Sequence, residues 1–267
     1  MKKFISVFWC ALVLLFMFVP ILILAFYSFT DASNIGQGAS FSFGNYVTLF
    51  TTPELTDMIV GTIVLALGSA LIATVIGTMG AIGSFYSGRL MKGVYNTVNQ
   101  IPIVNAEVVT GFSICVLMIA FLGISKDTYI PLVIGHVVLL APFVYLSVIP
   151  RLKQMDRSLY EAALDLGATG PQALFKIVLP QILPGVLSGF MLAITLSLDD
   201  YFITTYTKPA TFDTISTYVV NATRGSQTQI KTALWALSTI IFLFVILIVV
   251  LMNVVGKKQT KKEGMEI

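Results

Sequence analysis

Three acidic residues, Glu107, Asp199 and Asp200, stand inside or beside strongly apolar stretches of this chain. A charge at the centre of a membrane helix costs roughly 2.5–3.5 kcal/mol on insertion scales, so such acids face a cavity or a partner. Their chemistry is attraction of a cation. Tyr201, Phe202 and Tyr206 lie close by in the chain and can add cation–π contacts to ammonium groups. The competing structural reading makes the aspartates an outer helix end, hydrated or paired with a loop Lys or Arg. Glu107 has its own simple explanation. It lies within two turns of Pro102, where a helix N-terminus favours negative charge.

Neighbouring helical residues point about 100° apart, so Asp199 and Asp200 do not share a face. Asp199 continues a stripe through Ser188, Leu192 and Thr195, whose hydroxyls suit the lining of a path. Asp200 continues Gly185, Gly189, Ala193 and Ser197 and then reaches Thr204, which reads as a helix-packing ridge. Asp199 is 14 residues beyond Gly185, roughly 21 Å of helix at about 1.5 Å per residue. A helix entering from the cytoplasm would carry the pair to the outer part of the bilayer.

Other reactive groups are sparse. His136 is the one histidine, isolated in mid-helix, and reads as a hydrogen-bonded packing residue. Cys10 and Cys115 fall in apolar stretches as buried free thiols. The sequence has no metal-ligand cluster, no Gly-rich phosphate loop and no paired nucleophile and base. These absences predict a chain that is not an enzyme and binds no cofactor or metal itself.

The elements that must position the acids are membrane helices. Of 267 residues, 57% are hydrophobic and only 11% charged, with a mean hydropathy of +0.91. Soluble domains carry about 25% charged residues. The net charge of +3 does not suggest nucleic acid. Six spans are predicted, at Phe4 to Phe29, Met58 to Phe85, Pro102 to Leu122, Tyr129 to Ile149, Pro184 to Tyr206 and Thr232 to Val255. The first begins like a signal peptide, but its apolar run far exceeds the ~7–15 residues of a signal core. It is read as a retained helix with a kink at Pro20; Pro142 predicts a break or kink in the fourth. Glycines 61, 68, 77, 80 and 83 suit close packing of the second. Ser87 to Gln100 reads as a short polar loop. Two longer polar segments, Thr30 to Asp57 and Thr207 to Lys231, separate the first two and the last two spans.

Charge bias orients the spans. With both termini inside, the inner segments hold 12 of the Lys and Arg residues and the outer segments 4. This orientation puts Ser158 to Pro180 in the cytoplasm. That stretch reads as a pair of short capped helices. Ser158 with Glu161 fits a capping box, and Thr169 with Gln172 fits a second. Leu159, Ala162, Ala163 and Leu166 share one face, and Gly167 stands where a helix would stop. By residue type alone the pair could simply lie on the membrane surface.

Glu161-Ala162-Ala163, Gly167 four residues later, then Ile177, Leu179 and Pro180 resemble the EAA signature of ABC-importer permease subunits. Leu196-Ser197-Leu198-Asp199-Asp200, with Pro209, Thr214, Tyr218 and Arg224 beyond it, resembles the PotC-type spermidine/putrescine branch. Glu107-Val108-Val109-Thr110-Gly111 is similar to the acid-hydrophobic-x-Gly pattern at the same helix start. Lys208-Pro209 replaces an expected Gly-Pro, and Ala106 an expected proline.

The resemblance implies one all-α integral membrane domain over the whole chain. It would have six transmembrane helices, cytoplasmic termini and the type I importer (MetI-like) fold, in the cell membrane as a multi-pass protein. It implies that Glu161, Ala162, Ala163, Gly167, Ile177, Leu179 and Pro180 couple to an ATP-binding subunit dimer, which alone uses ATP and Mg. It further implies a homologous second permease subunit and an extracytoplasmic binding protein. The substrate pathway would contain Asp199, Asp200, Glu107, Tyr201 and Thr195. Permeases for iron, thiamine or another organic cation share this architecture, so the substrate class stays open between them and polyamines. An ion-coupled secondary transporter with the three acids as relays is the remaining alternative; such proteins usually carry inverted repeats, and none is visible here.

Overall fold

The structure, a computed structural model, describes residues 2–32, 35–36, 40–156, 158–224 and 228–263. Gly38 and Arg157 lie outside the described residues, as do the side chains of the tail lysines. The described chain is almost entirely helical. Helix α1 spans Lys2–Ser28, α2 Gly44–Thr51, α3 Pro53–Tyr86, α4 Arg89–Val104 and α5 Glu107–Val116. A wider π-type turn, Leu117–Phe121, extends α5. Helix α6 spans Ile130–Gln154, α7 Ser158–Asp165 and α8 Gly170–Ala173, followed by a second π-type turn at Leu174–Val178. Then come α9 (Leu179–Asp199), α10 (Phe202–Thr207), α11 (Ile215–Arg224) and α12 (Thr228–Glu263).

Four helices are long and apolar enough to cross a membrane among the described residues: Val7–Ser28, Pro53–Tyr86, Ile130–Gln154 and Gly170–Asp199. The pair Arg89–Val104 and Glu107–Phe121 passes the same test together, bent by 104°, and would be a fifth. Within α12 the described apolar part is Thr232–Leu247.

The chain separates into two compact units, residues 1–59 with 218–249 and residues 60–217 with 250–267. In the first, Phe18 packs on Phe242 and Tyr27 on Trp235, with ring centroids 6.3 and 5.8 Å apart. Asn45 Nδ2 donates to the carbonyls of Ser28 and Thr30 and ties α2 to the end of α1. The carboxylate of Asp31 accepts the backbone N–H and hydroxyl of Ser40, which holds its carboxyl below the usual carboxylate range.

The second unit is built on α6. Leu132, Leu140, Val144, Val148 and Leu152 are fully buried along it. Helix α9 lies against α6 through its small residues. A Cβ added at Gly185 would come within 2.8 Å of Arg151 Cγ and 2.9 Å of the Ser147 carbonyl, and one at Gly189 within 3.1 Å of Val144 Cα. The expected ridge of Gly185, Gly189, Ala193 and Ser197 is thus a packing surface, and all four residues are buried. Gly77 of α3 makes the same close approach, to Ala141 O and Val144.

Several features differ from the sequence reading. Ser87 to Gln100, read as a loop, lies largely within α4. Its polar face turns inward: Tyr145 donates its hydroxyl to Asn96 Oδ1 at 2.7 Å, Asn99 Nδ2 reaches the Pro142 carbonyl at 3.4 Å, and Lys92 lies over the Phe85 ring. Leu90, Val94, Val98 and Ile101 are exposed on the other face. Polar side chains that find partners on a neighbouring helix can hold a helix in place as apolar ones do. Helix α6 runs through Pro142 and Pro150 as one helix. Pro180 does not end its helix, because proline is tolerated in the first turn of α9. The break comes instead after Asp199, and Tyr206 belongs to α10.

Candidate functional site

The stretch 158–180 begins at the end of α6. The first helical residue is Ser158, as expected, but its cap is Asp156. That carboxylate accepts the Ser158 backbone N–H at 2.9 Å and the Ser158 hydroxyl, which holds its carboxyl below the ordinary range. The Ser158 capping box is therefore replaced by a cap two residues earlier. Gly167 ends α7 with φ +87°. Its N–H donates to the Leu164 carbonyl at 2.9 Å, and Ala168 N–H donates to the Ala163 carbonyl at 3.0 Å. That pair of bonds is a Schellman closure, which needs a left-handed residue where Gly167 stands. Thr169 opens α8, donating its N–H to Gln172 Oε1 at 3.0 Å in the expected capping box.

One side of this stretch is seated in its own unit. Ala163, Ala173 and Val178 are buried, and the Tyr160 ring packs at a tilt against Tyr86 with centroids 4.9 Å apart. The other side is open. Glu161, Ala162, Gly167 and Pro180 are exposed, Ile177 and Leu179 half-buried. Leu166 is 89% and Phe175 65% exposed. A capped, bent pair of turns presenting apolar side chains outward can hold a docking partner in a fixed orientation.

The acids gather around α10, which is wedged between α5 and α6. A Cβ on Gly111 would lie 3.0 Å from Ile203 Cα, and one on Gly135 would lie 2.6 Å from Ile203 Cγ2. Glu107 precedes Gly111 by one turn on the same helix face. Its carboxylate is exposed and within Coulombic reach of Asp200 and Asp199. Asp199 is the last residue of α9 and is exposed. Tyr201 is half-buried beside it, its ring packed edge-on against Phe202. Thr195 is half-buried and donates its hydroxyl to the Met191 carbonyl.

Asp200 lies elsewhere than its neighbour. Its residue is 5% exposed, and its carboxylate caps α10. Oδ2 accepts the Thr204 N–H at 2.8 Å and the Thr204 hydroxyl at 2.6 Å, while Oδ1 accepts Ile203 N–H at 3.3 Å. His136, fully buried on α6, joins this group. Its Nδ1 is 2.8 Å from Ser197 Oγ and its Nε2 3.0 Å from Thr204 Oγ1. The sequence reading took His136 as a hydrogen-bonded packing residue apart from any site, and its hydrogen bonds are there. Its partners are 61 and 68 residues away, and the spacing of Ser197, Asp200 and Thr204 along one stripe was the available signal. Among the described residues no group of three metal-ligating side chains occurs. The acids left open on this side are Glu107 and Asp199, both exposed, with Tyr201 half-buried next to Asp199 in the chain.

A family profile described as "Binding-protein-dependent transport system inner membrane component" matches residues 73–261. The chain is 30% identical to the putrescine transport system permease protein PotI of Escherichia coli strain K12 over 214 residues, covering 78% of this chain and 76% of that protein. It is 28% identical to the spermidine/putrescine transport system permease protein PotC of Haemophilus influenzae, covering 91% and 93%. Among solved structures, a chain of a bacterial ABC transporter for import of the acidic polysaccharide alginate superposes with TM-score 0.71 at 19% identity, covering 96% of each chain. A chain of the MetNI methionine ABC transporter, in inward-facing conformations, superposes with TM-score 0.56 at 15% identity over 78% of this chain.

Proposed function

The chain belongs to the family of binding-protein-dependent transport system inner membrane components, and from that premise we propose that it is the permease subunit through which an ABC importer takes up polyamines. The observation that supports the substrate class is the pair of exposed carboxylates, Glu107 at the start of α5 and Asp199 at the α9–α10 break, within Coulombic reach of each other and with Tyr201 next to Asp199. A polyamine is a flexible chain of ammonium groups. It is matched by separated anions and an aromatic face rather than by one rigid pocket. The similarity to putrescine and spermidine permeases supports the same reading.

In this reading six spans cross the cytoplasmic membrane with both termini inside, as the 12-to-4 bias of basic residues supports. The stretch 158–180 then faces the cytoplasm. Its exposed Glu161, Ala162 and Leu166 dock on a separate ATP-binding subunit, and Ile177, Leu179 and Pro180 carry movement into α9. A second permease subunit closes the other side of the pathway, and an extracytoplasmic binding protein delivers the cation. The short, capped helices make the stretch a lever rather than a hinge, so closure of the ATPase dimer becomes a rigid-body movement of the spans. The chain performs no hydrolysis itself.

The test is the source of energy for uptake. Cells lacking the partner ATPase should lose polyamine uptake through this permease, and ionophores that collapse ion gradients while ATP is maintained should leave it intact. Uptake that survives loss of the ATPase and fails with the ionophore would overturn the reading in favour of an ion-coupled carrier.

A further inference from the structure

We propose that His136 is a positioning residue for substrate binding, which holds the α9–α10 break so that Asp199 and Tyr201 face the pathway while Asp200 stays bound within the protein. The inference rests on the pathway reading above and assigns different work to its two neighbouring aspartates.

The argument begins with one hydrogen. Thr204 has a single hydroxyl hydrogen, and Asp200 Oδ2, only 2.6 Å away, receives it. Thr204 Oγ1 can then only accept from His136 Nε2, at 3.0 Å. Nε2 therefore carries a hydrogen, and a neutral ring leaves Nδ1 to accept the Ser197 hydroxyl at 2.8 Å. The bonds run in one direction, from Ser197 through His136 and Thr204 to Asp200. Every member is satisfied, which is the condition for a buried polar network to stabilise a structure rather than weaken it.

The placement of the members shows what the network holds. Ser197 is in the last turn of α9, Thr204 in the first turn of α10, and Asp200 in the break between them. His136 comes from a third helix, α6, and bridges both sides of the break. At a break, α9 loses the backbone bonds that would fix its end. Asp200 has extended backbone, with ψ 123°. The His136 staple supplies an outside reference for that end, and on either side of the buried Asp200 it leaves Asp199 exposed and Tyr201 half-buried. Ser197, His136 and Asp200 have the residue types of a hydrolytic triad, but Ser197 is 3% and His136 0% exposed. Thr204 also bridges the imidazole and the carboxylate, whose Nε2 and Oδ2 atoms are 3.7 Å apart. The set is closed to a substrate and acts on its own helices.

The experiment uses the whole reconstituted complex and measures KM and Vmax for spermidine uptake, with membrane abundance and binding-protein-stimulated ATPase as controls. His136→Phe keeps the ring and removes both polar atoms. It should raise KM by roughly tenfold, the order expected when buried partners are left unsatisfied, with abundance retained. His136→Gln offers an amide donor near the Nε2 position and should recover part of the loss. Asp199→Asn should also raise KM, and adding His136→Phe to it should raise KM little further, because both act through one group. An unchanged KM in His136→Phe, or effects that multiply in the double variant, would overturn the positioning role and leave the pathway reading standing. An unchanged KM in Asp199→Asn would overturn the pathway reading and this role with it. If His136→Phe does not accumulate, the same cycle with His136→Gln decides, by the same outcomes.

Discussion

Asp199 and Asp200 are consecutive in the chain and opposite in environment. Asp199 ends α9 with its carboxylate exposed, whereas Asp200 is buried and accepts three hydrogen bonds from Ile203 and Thr204. Replacing the first should change transport alone, and replacing the second should also change the stability of the protein. Asp199→Asn is expected to weaken polyamine uptake with normal membrane abundance. Asp200→Asn leaves two buried backbone donors and a hydroxyl with a poorer acceptor, a loss of about 1–3 kcal/mol. Thermal unfolding in detergent should therefore fall for Asp200→Asn and not for Asp199→Asn. Equal stability of the two variants would contradict the division.

Gly167 tests the coupling stretch. Its φ of +87° costs a side-chain-bearing residue about 1–2 kcal/mol, although a Cβ there would meet nothing within 4 Å. The strain is conformational and not a clash. Gly167→Val should therefore misplace the Schellman turn and let ATP hydrolysis proceed with little uptake. Gly167→Asn, which tolerates the left-handed region, should keep most of the coupling. Equal uptake per ATP in the Val variant and the parent would count against a lever in this stretch.

Two glycines of α3 separate packing from propensity. A Cβ at Gly77 would sit 2.7 Å from the Ala141 carbonyl and 2.8 Å from Val144 Cβ, and one at Gly68 would meet nothing within 4 Å. Gly77→Ala should lower stability by about 1–3 kcal/mol through overpacking. Gly68→Ala should be neutral or raise it by up to ~1 kcal/mol through helix propensity. The order of the two melting temperatures is the readout.

The cap at Asp156 carries a pH dependence of known sign. Two donors from Ser158 depress its carboxyl from the usual 3.8. A depressed carboxyl contributes above its unfolded value and loses that contribution as pH falls through the lower folded one. The cap should then be complete throughout neutral and mildly acidic conditions. Carbon-13 NMR titration of the Asp156 carboxyl should give a midpoint below 3.8, and Ser158→Ala, which removes the hydroxyl donor, should move it upward. A midpoint at or above 3.8 in the parent would remove the cap.

Much of this was legible in local patterns. The stop at Gly167, the Thr169–Gln172 box and the buried Gly185–Gly189–Ala193–Ser197 ridge each depend on residues within a few turns of one another, and each stands where the spacing put it. What was not legible depends on distant partners. Helix α4 looked like a loop because Asn96 and Asn99 read as solvent-facing until Tyr145 and Pro142, more than 40 residues away, receive them. His136 was read as a hydrogen-bonded packing residue and is one, but its partners, Ser197 and Thr204, were not legible for the same reason. The end of α9 was misplaced because a helical pattern continues through Tyr206, and only the capping bonds of Asp200 interrupt it.

The central claim, ATP-driven polyamine import through this subunit, is tested most directly by radiolabelled spermidine accumulation in proteoliposomes. These would hold this chain with its partner permease and ATPase, with binding protein outside and ATP trapped inside. The account predicts saturable accumulation that needs both ATP and the binding protein, is competed by unlabelled putrescine, and weakens when Asp199 is changed to Asn. Accumulation that proceeds without ATP, or none with polyamine while another cation is taken up, would contradict it.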